Sequence, residues 1–191
     1  MAREGHHMRE YFLLLPILFI VHDMEEIIGF GKFFRNNPQL FERFPKVTKA
    51  YRKFTTEGMA LAVYEEFIPF FGISLLAYYF PGYILETIWF GLLLSLTAHF
   101  VIHIGQSMYI RKYIPSLITS VILLPVSLCI LIRSAEYIAF DLLTVMIISA
   151  SIFLMMANLR FAHYLMHRCY EKNEGGGRKP PDAETKNLLN R

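Results

Sequence analysis

The sequence predicts an all-α fold: a polytopic membrane bundle of five transmembrane helices, with the N-terminus outside and the C-terminus cytoplasmic. Three observations carry that expectation. Of the 191 residues 54% are hydrophobic, and mean hydropathy is +0.38, whereas a soluble domain is about 45–50% apolar. The apolar residues fall in five long blocks, each near the ~20 residues that a helix needs to cross a bilayer. The basic residues gather in alternate connectors, the pattern that sets orientation in a membrane. A net charge of +3 is too small to point to nucleic acid.

Residues 1–10 are polar and include the pair His6 and His7. Residues 11–31 form the first span, which is too long for a signal-peptide core and is followed by no small-residue cleavage site. Pro16 is expected to kink it. Residues 32–57 make a basic, aromatic connector. Asn37-Pro38 signals a helix start, and Phe44, Val47, Tyr51 and Phe54 recur at helical spacing. Arg43, Lys46, Lys49, Arg52 and Lys53 fill the other side, so the segment is expected to lie on anionic lipid. The further spans are 59–80, 83–108, 114–132 and 139–167. Residues 171–191 read as a disordered Gly/Pro/charged tail. Cys129 and Cys169 are expected to fall at opposite depths, so no disulfide between them is expected.

Lys and Arg count two before the first span, seven, none, two and one in the successive connectors, and seven from Arg160 onward. One side therefore holds sixteen and the other three of the 19. The positive-inside rule places the sixteen in the cytoplasm, as in a multi-pass membrane protein.

The first span is interrupted by His22-Asp23-Met24-Glu25-Glu26. A charged side chain there costs roughly 2.5–3.5 kcal/mol on insertion scales, so these residues need partners. His22, Glu25 and Glu26 share a helix face. Counted from the cytoplasmic ends at about 1.5 Å per residue, Glu26, Glu65, His103 and His163 lie roughly 6–9 Å in, and His22, His99 and Asn158 roughly 14 Å. Helices running in opposite directions thus bring their costly residues to one depth. His99 and His103 have the i, i+4 spacing that lets two imidazoles hold one ion. Asn158 points about 140° away from His163, so the two are not expected to serve one site together.

Imidazole with carboxylate is the ligand set of zinc, non-haem iron and manganese. The expected ligands are His22, Glu26, Glu65, His99 and His103, holding one or two divalent ions. Glu25, Glu66 and His163 are expected to do acid–base work or to support the ligands. Glu65 and Glu66 point about 100° apart, so only one can face the centre squarely. The same cluster also suits metal-free acid–base chemistry or a polar network that joins helices. The network alone does not explain three or more carboxylates that repel one another. Spans one, two and three are expected to touch, with span five closing the ring and span four outside it.

These residues resemble the HXXEE-domain family of small bacterial membrane proteins. His22-Asp23-Met24-Glu25-Glu26 matches its first motif. His103-Ile104 followed by Arg111-Lys112-Tyr113-Ile114-Pro115 matches its second, over roughly residues 11–130. The resemblance implies His22, Glu25, Glu26 and His103 as the functional positions, with Arg111, Tyr113 and Pro115 shaping a turn. His99 stands where Asn is expected, and Ser116 where Gly is usual. The family carries no activity over to this chain.

No His-Glu-x-x-His motif is present, which disfavours a zincin peptidase. Phe30 stands where an intramembrane protease of the CPBP type carries Arg, and the five histidines beyond His7 are too few for desaturase boxes. The sequence therefore suggests a membrane-embedded metalloenzyme acting on a lipid-soluble or amphipathic small molecule. The alternatives are ion- or proton-coupled transport and a metal-free isomerase.

Overall fold

The computed structural model describes residues 4–175, which are helical throughout apart from short connections. The helices are α1 (Glu4–Phe12), α2 (Leu14–Asn36), the single turns α3 (Leu40–Arg43) and α4 (Pro45–Thr48), a 3-10 turn (Lys49–Tyr51), and the long α5 (Thr56–Tyr79), α6 (Tyr83–Ile110), α7 (Leu117–Ala135) and α8 (Leu142–Gly175).

Four helices, α5 to α8, are long and apolar enough to cross a membrane, the make-up of a multi-pass membrane protein. Their outward faces carry Ile68, Ile102, Ile122, Phe153 and Leu154 in the open, a surface suited to lipid rather than water. By length and composition four helices qualify rather than the expected five, because Asp23, Glu25 and Glu26 stand in the middle of α2.

The expected first span is also not one helix. The chain breaks at Leu13, three residues before Pro16. Proline has no N–H to give the carbonyl four residues back, and its ring clashes there. That carbonyl belongs to Phe12, and it instead accepts the indole N–H of Trp89 at 3.0 Å. Phe12 and Trp89, both fully buried, pack edge to face at 5.2 Å.

The connector differs from expectation as well. Asn37 does not start a helix; its side-chain amide donates to the Phe33 carbonyl at 2.9 Å and closes α2. The aromatic face turns inward, with Tyr51 at 4.7 Å from Phe30 and 5.2 Å from Phe34, while Arg43, Lys46, Lys49 and Arg52 stay exposed. The connector is pinned to α8 by His167, whose Nε2 lies 2.8 Å from the Ala50 carbonyl, and by a Lys53–Glu171 ion pair at 2.6 Å. Thr55 caps α5 by accepting the Gly58 N–H at 2.9 Å.

Helix α8 continues through residues 171–175, which the sequence assigned to the tail. The rest of that tail, and the side chains of His6 and His7, lie outside the described residues. Around the bundle α2 packs on α5, α5 on α8, α8 on α6, α6 on α7 and α7 on α2. Span four, expected outside the ring, is therefore part of it as α7.

Candidate metal centre

Helix α2 buries Phe19, His22, Asp23, Glu26 and Phe30, an inward stripe at helical spacing. Helix α6 buries Leu96, Phe100, His103 and Ser107, with His99 one turn from His103. The two stripes meet. His103 Nε2 lies 3.0 Å from Glu26 Oε1 and 2.8 Å from His99 Nε2, and His22 Nε2 lies 3.8 Å from Glu26 Oε1. One ligand atom from each of His22, Glu26, His99 and His103 falls within 4.8 Å of the others.

The outer nitrogens are held. His22 Nδ1 lies 3.0 Å from Thr119 Oγ1, and Thr119 gives its own hydrogen to Glu25 Oε2 at 2.6 Å. Thr119 Oγ1 therefore accepts from His22, which puts the His22 proton on Nδ1 and the lone pair of Nε2 toward the centre. His103 Nδ1 lies 3.0 Å from Ser116 Oγ. Such partners orient a metal-binding imidazole and set its tautomer.

Inside, the demand is unmet. His22 Nε2 is buried without a hydrogen-bond partner, and Glu26 Oε1 makes no hydrogen bond beyond its 3.0 Å approach to His103 Nε2. A buried polar atom left unpaired costs about 1–3 kcal/mol, and native structures hold few of them. Ligands about 2.0–2.2 Å from an ion lie about 3.3–3.6 Å apart in a tetrahedral site and up to about 4.4 Å apart across an octahedral one, so side-chain adjustment alone can gather the four atoms round one ion. The residues fit a divalent ion.

Of the sequence-expected residues, His22, Glu26, His99 and His103 come together. Glu65 does not join them; it is half-buried and accepts from Asn158 Nδ2 at 3.4 Å. Its neighbour Glu66 is buried and lines the cavity below the cluster, since adjacent helix residues diverge by about 100°. Glu25 turns to α7, taking the Thr119 N–H at 2.8 Å and the Tyr113 hydroxyl at 2.6 Å. His163 lines the cavity with its ring 6.1 Å from that of Tyr51.

Sequence reasoning missed Asp23, Ser116, Thr119 and Tyr51. Asp23 is 4% exposed and lines the cavity; its place four residues after Phe19 and three before Glu26 was the available signal. Ser116 is buried with φ 119°, a left-handed geometry that favours glycine. That explains why glycine suits the position, and the hydroxyl on His103 explains what serine adds.

Burial, then the hydrogen bond to Glu25 and its charge, push the Tyr113 phenol up to about 12, so it remains a donor. Burial and then the carboxylates of Glu26, Asp23 and Glu66 hold the Tyr51 phenol well above its usual range.

Beside the cluster lies a cavity of about 350 Å³ walled by α2, α5, α6, α8 and the connector. Phe19, Phe70, Leu96, Ile152 and Met155 supply apolar wall, and Glu26, His99 and His103 bring the cluster to its edge. The volume is in the ~300–1,000 Å³ range of small-molecule sites.

No curated protein matches the chain, and no solved structure does either. A family model described as "Protein of unknown function with HXXEE motif" matches residues 13–130. The match takes in His22 to Glu26 on α2, His99 and His103 on α6 and the hydroxyls of Ser116 and Thr119, and spans more than half of the chain. The protein therefore belongs to the HXXEE family.

Proposed function

We propose that this is a membrane-embedded metalloenzyme in which His22, Glu26, His99 and His103 hold one divalent transition metal beside a pocket for a lipid-soluble or amphipathic small molecule. The supporting observation is the convergence of three imidazoles and one carboxylate on a buried point where His22 Nε2 and Glu26 Oε1 have no other partner. Four protein ligands close a tetrahedral zinc site but leave two positions of an octahedral ion, so the set favours iron or manganese. Such an ion supplies redox or Lewis-acid chemistry to a substrate in the cavity. Glu66 and His163, on the cavity wall, are placed to exchange protons with that substrate. Glu25 acts from outside by holding Thr119 against His22.

Metal analysis of detergent-purified protein tests this. The expected result is close to one iron or manganese per chain, lost in His103→Ala with the helical content kept. Protein that binds no metal would overturn it. One observation favours a second reading: His99 and His103 approach within ordinary hydrogen-bond distance, 2.8 Å, so a metal-free acid–base site is the outcome if the metal is absent.

In the same proposal α2 is a fifth crossing, bearing its charges only because the bundle shields them. The N-terminus lies outside, the C-terminus in the cytoplasm of a bacterial cell, and the exposed basic residues of the connector touch anionic headgroups. The sixteen-to-three division of Lys and Arg supports this. A C-terminal reporter active only in the periplasm would reverse the orientation.

A further inference from the structure

Asp23 and Glu66 take no part in the four-residue cluster, yet both are buried, 4% and 7% exposed, and both line the cavity. Asp23 Oδ2 has no hydrogen-bond partner. The two carboxyl groups carry four oxygens and at most two hydrogens, so whatever their charge they keep acceptor sites for a donor to fill. The rest of the wall is largely apolar, so an occupant needs one donating end and an apolar body.

The wall also shows a way in. Ala98 and Ile102 on α6 and Met156 on α8 line the cavity and stand on the outer surface, Ile102 at 54% and Met156 at 58% exposure. The cavity therefore meets the apolar outer face between α6 and α8, where a molecule dissolved in lipid would arrive without crossing water.

We infer that the cavity binds an amphipathic molecule that enters from the lipid between α6 and α8 and sets a hydrogen-bond-donating head, an amine or a hydroxyl, between Asp23 and Glu66. Its apolar body lies among Phe19, Phe70, Ile152 and Met155. The head then sits beside Glu26, His99 and His103, at the edge of the proposed metal centre. The inference rests on that centre for the reaction the ligand undergoes, but not for its binding.

The test is equilibrium binding of three labelled probes to full-length protein in nanodiscs, against empty nanodiscs. The probes are a medium-chain primary amine, the matching alcohol, and the methyl ether of that alcohol, which cannot donate. The amine or the alcohol should bind about tenfold tighter than the ether, as expected for one buried hydrogen bond. A preference for the amine identifies a cationic head, and parity of amine and alcohol a neutral one. The variant Asp23→Asn with Glu66→Gln should bring the three probes to within about twofold. Met156→Trp should slow association of the alcohol several-fold and leave the preference intact, a readout that survives if the double variant does not fold. An ether that binds as well as the alcohol, no saturable binding of any probe, unslowed association in Met156→Trp, or a second metal ion per chain lost in Glu66→Gln would overturn the inference. His103→Ala separates the two readings: it should lose the metal and keep the donor preference. A metal-free wild type that retains the preference would sink the metalloenzyme alone.

Discussion

Thr119 Oγ1 stands 3.0 Å from His22 Nδ1 and donates to Glu25 at 2.6 Å. One hydroxyl on α7 thereby links the His and the first Glu of the His-x-x-Glu-Glu motif and sets the tautomer of the His. Thr119→Val keeps the shape and removes that link. Metal affinity should fall about 10–100-fold, the usual effect of losing an outer partner of a ligand, and Thr119→Ser should restore most of it. Competition with a graded chelator reads both values. Unchanged affinity in the valine variant would show that α7 does not tune the site.

Ser116 combines a left-handed backbone with a hydroxyl on His103. Ser116→Gly relieves the strain, about 1–3 kcal/mol, but gives up the bond to His103, a loss of similar size. Ser116→Ala keeps the strain and loses the same bond. The glycine variant should therefore be the more stable of the two by about 1–3 kcal/mol, while both weaken metal retention alike. A glycine variant that melts no higher than the alanine variant would contradict the strain argument.

Trp89 and Pro16 form a pair without touching through hydrogen bonds of their own: the proline frees the Phe12 carbonyl and the indole N–H fills it. Trp89→Phe should destabilise the protein by about 1–3 kcal/mol, leaving that carbonyl buried and unpaired. Adding Pro16→Ala supplies an N–H four residues on and should recover part of the loss. Denaturation midpoints of the single and double variants measure the coupling, and additive losses would refute it.

Gly29 lets α2 approach the turn before α7. A Cβ placed there would lie 2.4 Å from Pro115 Cβ. Gly29→Ala must therefore push that turn outward, at about 1–3 kcal/mol for overpacking. Because Ser116 ends that turn and Thr119 lies at the start of α7 just beyond it, the variant should also loosen the metal. A melting temperature and a metal content both equal to wild type would show that the turn yields freely.

Residue order alone was enough for the helical class and the long apolar helices, and it named His22, Glu26, His99 and His103, though together with Glu65, which the fold leaves apart. Each is a polar group at membrane depth, and the cost of leaving it unpaired follows from its chemistry and its place within an apolar run. Packing between helices determined who else stands there. Helical spacing says which residues share a face of their own helix, but not which neighbour that face meets. It could not choose Glu66 over Glu65 for the cavity, or send Glu25 to α7 while Glu26 went to His103. Ser116 showed only as a departure from the usual Gly and Thr119 not at all, because a hydroxyl can bond its own helix and costs a membrane span little, so nothing in the sequence demanded a partner. The connector folded back because Tyr51 and Phe54 found Phe30 and Phe34 within reach, and an aromatic face at helical spacing packs on protein or on lipid by the same burial of apolar area.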